Sequence, residues 1–169
     1  MAEEIGAVYL RDVTERFRAY KRLGERAMAQ VYDSGLTARV DPASNSIAVL
    51  VRHLAGNMRS RWTGFLTSDG EKPDRHREQE FEMPESVTRR EMLEWWDDGW
   101  ARLFEALVAL QPADLTRQVT IRGQPYLALQ AIDVALTHYA YHVGQIVLLA
   151  KHLAGDSWTS LTIPRPSQG

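Results

Sequence analysis

Four stretches of this chain place an apolar residue at every third or fourth position, and that period commits most of its length to amphipathic helices. The first covers about residues 3–32, with Ile5, Tyr9, Val13, Phe17, Tyr20, Leu23, Ala27 and Val31 along one face. Gly35 and Pro42 interrupt it, and a Ser/Asn cluster then offers an N-cap for the second, which carries Ile47, Leu50, Val51, Leu54, Met58, Trp62 and Phe65. Thr88 and Glu91 make a capping-box pair for the third, whose stripe is Met92, Trp96, Leu103, Leu107 and Leu110 before Pro112. The fourth aligns Ile132, Ala135, Tyr139, His142, Ile146, Leu149 and Leu153 and is stopped by Gly155. Such stripes are buried most simply against one another. The expected fold is therefore an all-α four-helix bundle, a single domain over residues 1–169.

Two connections depart from a plain bundle. The polar segment TSDGEKPDRHREQEFEMPES, between the second and third helices, is longer than an antiparallel turn requires. It reads either as a functional or mobile loop or as the crossover needed when two bundle helices run parallel. Before the fourth helix, Val119 and Ile121 alternate with polar residues around an Arg-Gly pair, which suits a short hairpin. The tail TIPRPSQG is expected to be irregular.

Composition excludes several functions. Lys and Arg number 20 against 22 Asp and Glu, a net charge of −2, so no basic field attracts a phosphate backbone and nucleic acid is not an expected partner. No apolar run approaches the roughly 18 residues that span a bilayer, and MAEEIGAVYLRD is acidic where a signal peptide is cationic. A cytoplasmic protein with no membrane partner is expected. Cysteine is absent, which removes disulfides, thiolate nucleophiles and Cys-type zinc sites together. Any metal must be held by nitrogen or oxygen.

The stretch HYAYHVGQ carries the chemistry. His138 and His142 are four apart, about 40° around a helix, and Gln145 shares their face. That spacing can chelate a metal or merely pack. His53, in LVRHLAGNMRSRW, borders Leu50 and Leu54 and so faces the bundle interior, where it offers a third imidazole. Three neutral histidines leave coordination positions open for water or substrate, the pattern of a catalytic rather than a structural ion. Asn57, one turn after His53, is placed to orient a ligand or substrate, and the phenols of Tyr139 and Tyr141 serve either as proton donors or as packing. His152 lies about 15 Å along the axis from His142, and His76 sits among Asp74, Arg75 and Arg77, so neither joins the group. Arg59, Arg61 and Lys72 read as solvated surface charges, with capture of an anionic ligand at the mouth of the site as the alternative, and Trp95, Trp96 and Trp100 as packing.

With His53 in an HL context on the second helix and HYAYHVGQI on the fourth, the chain resembles the DinB/YfiT superfamily of metalloenzymes from about Tyr9 to Ile163. The stretch SNSIAVLVRHLAGNMRSRWTGFLTSDGEKP is closer to a branch of unknown function. The resemblance implies a four-helix bundle, a zinc or nickel ion on His53, His138 and His142, and a homodimer. It also implies a low-molecular-weight thiol, such as bacillithiol or mycothiol, as cosubstrate in transfer or isomerisation on a small-molecule substrate. A metal-dependent thiol transferase or hydrolase is the leading expectation, and a non-catalytic metal or small-molecule binding protein of a stress response is the alternative.

Overall fold

The long apolar stripes are helices in the computed structural model, which describes residues 2–82 and 87–163. The elements in order are α1 (Ala2–Met28), α2 (Asp33–Leu36), α3 (Ile47–Trp62), α4 (Arg89–Ala109), β1 (Gln118–Ile121), β2 (Gln124–Leu127) and α5 (Ala128–Ala154). Helix accounts for 68% of the chain, and the small two-stranded sheet is the predicted hairpin. The single turn α2, inside the first interhelical connection, is too short to show a helical period in the sequence.

The expected caps form. Ser46 Oγ accepts from the Val49 N–H at 3.3 Å, and Thr88 and Glu91 exchange side-chain-to-backbone bonds at 2.8 and 3.2 Å. Gly155, at φ 53°, ends α5. α1 stops at Met28, short of the expected end near residue 32: the chain tightens there into turns from Gln30 N–H to Ala27 O and Val31 N–H to Met28 O, and the Arg89 guanidinium from α4 caps the carbonyls of Met28 and Val31. Val31 is buried nonetheless, whereas Ile5, placed on the core stripe by its spacing, is 68% exposed. Phe65 also lies beyond its helix and is still buried, since Gly64 at φ 61° folds the chain back after Trp62. Of the TIPRPSQG tail, residues 164–169 lie outside the described residues.

The four long helices close a ring in the order α1, α5, α3, α4. One aromatic ring from each meets at the centre: Phe17 lies 6.2 Å from Trp62, 6.3 Å from Trp100 and 5.9 Å from Tyr139. Each such side chain contributes about 1.5–3 kcal/mol by leaving water. This cluster fixes the rotation of α3 and α5 about their axes. Residue pairs give the directions. Arg52 packs on Trp95 and Ala55 on Gly99, so α3 and α4 run parallel. Lys21 pairs with Asp97 while Arg18 reaches Phe104, so α1 and α4 are antiparallel. A parallel α3 and α4 is the crossover reading of the long connection between them.

The hairpin is clamped to that connection. β1 and β2 pair antiparallel with Ile121 opposite Gln124, and Arg122 and Gly123 both take positive φ, 53° and 71°, in the intervening turn. A non-glycine residue there is strained, and Asp69 offsets the strain by accepting the Arg122 and Gly123 N–H groups at 2.8 and 2.7 Å. Gly70 N–H donates to Thr120 O at 2.8 Å. Among the described residues no helix is long and apolar enough to cross a membrane.

Candidate metal centre

The ring order brings α3 against α5, and with it His53 against His138 and His142. One ligating atom from each of the three lies within 4.8 Å of the other two. The Nε2 atoms of His53 and His138 face each other at 3.3 Å. His53 and His142 are buried, at 4% and 7% exposure, and His138 is half-buried.

The remaining ring nitrogens decide which lone pairs point inward. His53 Nδ1–H donates to Glu80 Oε2 at 2.8 Å, and His142 Nδ1–H donates to Gln145 Oε1 at 2.7 Å. On a neutral ring such a bond puts the proton on Nδ1 and leaves the Nε2 lone pair free. Burial, together with the neighbouring His142 and His53, pushes His138 down to about 3. Burial likewise pushes His142 down to about 4, against the opposing bond to Gln145. These two imidazoles are therefore neutral near pH 7, the form that ligates a metal.

Glu80 was not singled out in the sequence, where it sits in a charged run. The 3-10 turn Arg77–Phe81 carries it onto α3, and Phe81 beside it covers the His53 ring with centroids 4.9 Å apart. Arg75 grips both carboxylate oxygens at 2.8 Å and also reaches Glu71 at 3.0 Å. Burial alone would raise the Glu80 carboxyl; the bonds from His53 and Arg75 outweigh it and hold it below its ordinary value. Gly56 makes room for this arrangement, because a Cβ there would stand 2.7 Å from Glu80 Cδ. A glycine inside a well-patterned helix is the signal that a close approach was present. A carboxylate behind a histidine raises its basicity and orients its ring, a common support for a metal ligand.

The other candidates fall as follows. Asn57 faces α5 but is engaged: Tyr139 OH donates to its Oδ1 at 2.9 Å, and Trp62 Nε1–H donates to the Tyr139 oxygen at 3.0 Å. Tyr139 is thus a core residue that anchors α5 next to His138. Tyr141 is 55% exposed and lies over His142, ring centroids 4.2 Å apart, at the outer edge of the cluster. His76 and His152 are exposed and stand outside the cluster. Arg59 pairs with Asp98 at 2.8 Å in the wall of a cavity of about 690 Å³ on another face of α3. Lys72, in the same wall, bonds the Ser60 carbonyl at 2.8 Å. Arg61 overturns the solvated reading, since it is only 8% exposed. Trp96 and Trp100 are packed in the core as expected, and Trp95 lies under Arg52.

These observations define a helical-bundle protein with a buried, carboxylate-supported group of three histidines able to hold a metal ion. Over residues 4–167 the chain matches the family described as "Protein of unknown function (DUF1572)", and it belongs to that family. None of the curated proteins matches it.

Proposed function

We propose that this chain is a metal-dependent enzyme of the DinB/YfiT type. In this reading His53, His138 and His142 hold zinc or nickel, and a low-molecular-weight thiol or water is activated there for transfer to, or hydrolysis of, a small substrate. The observation that carries the reading is the 3.3 Å separation of the His53 and His138 Nε2 atoms. Two nitrogens each about 2.0–2.1 Å from a tetrahedral zinc stand about 3.3 Å apart. The Nδ1 bonds to Glu80 and Gln145, which leave the Nε2 atoms of His53 and His142 for the centre, point the same way.

Among the described residues the cluster has three histidines and no carboxylate. Asn57 and Gln145, the nearest amides, spend their carbonyl oxygens on Tyr139 and His142. A fourth position left to an exogenous molecule favours catalysis over structure. A divalent ion there supplies Lewis acidity, lowering the pKa of the thiol or water that reaches it. The chain's residues supply the rest: Glu80 and Gln145 orient the imidazoles, and Phe81 and Tyr141 shield them from solvent.

Val134, Tyr141 and Leu148, seven residues apart and 44–68% exposed, form an apolar stripe along α5. It supports a homodimer, checked by sedimentation, where a monomer at micromolar concentration would argue against assembly on this face. The metal reading is tested by elemental analysis of single variants. His53→Ala, His138→Ala and His142→Ala each lose most of the bound zinc or nickel, while His76→Ala and His152→Ala keep the wild-type content. Equal content in all five overturns it.

A further inference from the structure

Arg61 is a buried cation that no carboxylate among the described residues pairs with directly. It is 8% exposed, its Nε is sealed from solvent, and no described residue hydrogen-bonds that atom. The nearby carboxylates are already occupied. Glu80 is gripped by Arg75 and His53, and Glu71 is shared by Arg75 at 3.0 Å and Arg122 at 3.4 Å. Asp69, the next acid along the loop, spends its carboxylate on the N–H groups of Glu71, Arg122 and Gly123, so of the three guanidinium groups Arg61 is the one without a hydrogen-bonded carboxylate among the described residues. Burial lowers its pKa, with Glu71 and Tyr139 opposing and Arg75 and Arg122 adding to the effect. Only Nε is fully sealed, so the cost of desolvation falls on that side of the guanidinium while its terminal nitrogens remain free to meet a ligand. A chain that only needed to fill this volume would be served better by Met or Leu.

Its position ties it to the histidines. Arg61 lies two turns beyond His53 and one beyond Asn57 along α3, about 80° around from His53. Asn57, one turn before it, and Trp62, next to it, both bond the Tyr139 hydroxyl, so this stretch of α3 lies against α5 beside His138. The side chain is held under the loop by Gly70, where a Cβ would stand 2.9 Å from its Cδ and Nε. A glycine in that position leaves the guanidinium in place instead of displacing it.

We infer that Arg61 is an anion-recognition residue beside the three-histidine centre, and that the small molecule handled there carries a carboxylate which docks on its guanidinium. A planar guanidinium matches a carboxylate with two parallel N–H donors. A phosphate dianion would be repelled more strongly by Glu71, which is near enough for its charge to act on Arg61. The inference deepens the proposed function and rests on it only for what the bound molecule does next.

The test uses acetate as probe, titrated against chloride at constant ionic strength, with melting temperature and calorimetry as readouts and metal content measured in parallel. At ten times its Kd, acetate should raise the wild-type melting temperature by about 3–6 °C. Arg61→Met should lose the shift, keep its metal, and be at least as stable as wild type without acetate, because it removes an unpaired buried charge. Arg61→Lys keeps the charge without the fork, and should bind acetate about tenfold more weakly. Repeating the titration on His138→Ala separates the two readings: an Arg61-dependent shift without metal leaves the anion site standing even if the metal reading fails. No shift in the wild type, an equal shift in Arg61→Met, or a marked loss of stability in Arg61→Met without acetate would overturn the assignment.

Discussion

Replacing Gly56 with Ala is the sharpest probe of the support behind His53, because helix propensity and site geometry predict opposite signs. Inside a helix, Ala is favoured over Gly by about 0.8–1 kcal/mol. At this position the new methyl falls on the Glu80 carboxylate, 2.7 Å from Cδ and 3.2 Å from Cγ. The carboxylate must move away, and it then gives up both its bond from His53 and its paired contact with Arg75. Breaking a buried ion pair costs about 3–5 kcal/mol. Arg75 retains Glu71, so the lower figure applies. Against the propensity gain, the net loss is about 2 kcal/mol, or roughly 4–8 °C in melting temperature. Without its carboxylate, His53 should also lower zinc affinity by about 10–100-fold. Urea unfolding of the metal-free protein and chelator competition with zinc measure the two effects. Gly144→Ala, in α5 with open space around it, is the control and should gain stability. If Gly56→Ala gains as much as the control and binds zinc as wild type does, Glu80 is not held against α3 as described.

Two further outcomes follow from the same contacts. Tyr139→Phe leaves the Trp62 N–H and the Asn57 carbonyl unpaired in the core, which should cost about 1–3 kcal/mol with metal content unchanged; a loss of under about 0.5 kcal/mol would count against that network. In metal-free protein, His138 and His142 stay neutral in the fold down to about 3 and about 4, while the unfolded chain takes up those protons near pH 6.5. The unfolded state binds more protons between these limits, so stability should fall as pH drops from about 6.5 towards 4. A urea midpoint that is flat across that range would refute the buried, neutral assignment.

The helices and their caps were legible because they depend on local chemistry: Ser46, the Thr88–Glu91 pair and Gly155 act within a turn of where they stand. The histidines were legible for a related reason, since a polar residue on an apolar stripe contradicts its surroundings. Glu80 and Arg75 were not, because their partners stand on another element and a charged run gives no hint of which acid will be buried. Arg61 was misread for the same reason. Its burial comes from Gly70 and the hairpin folding over it, which no helical period reports. Ile5 was misread in the opposite direction: at this end of α1 it is Gly6, not Ile5, that packs against a neighbour, Pro112 and Leu115.

The parallel run of α3 and α4 divides the work between two kinds of segment. To start α4 beside the beginning of α3, the chain must retrace a helix of 16 residues, about 24 Å long, which roughly seven extended residues could do. The connection over residues 63–88 is far longer, and its surplus is spent on the Asp69 clamp, the Arg75–Glu80 pair and the Phe81 cover. The three imidazoles stand on rigid helices, while the groups that tune them ride on a segment whose length the bundle does not dictate. Within this architecture, insertions and exchanges in the connection could alter the basicity and exposure of the histidines without repacking a helix, so relatives could diversify in chemistry while keeping one scaffold.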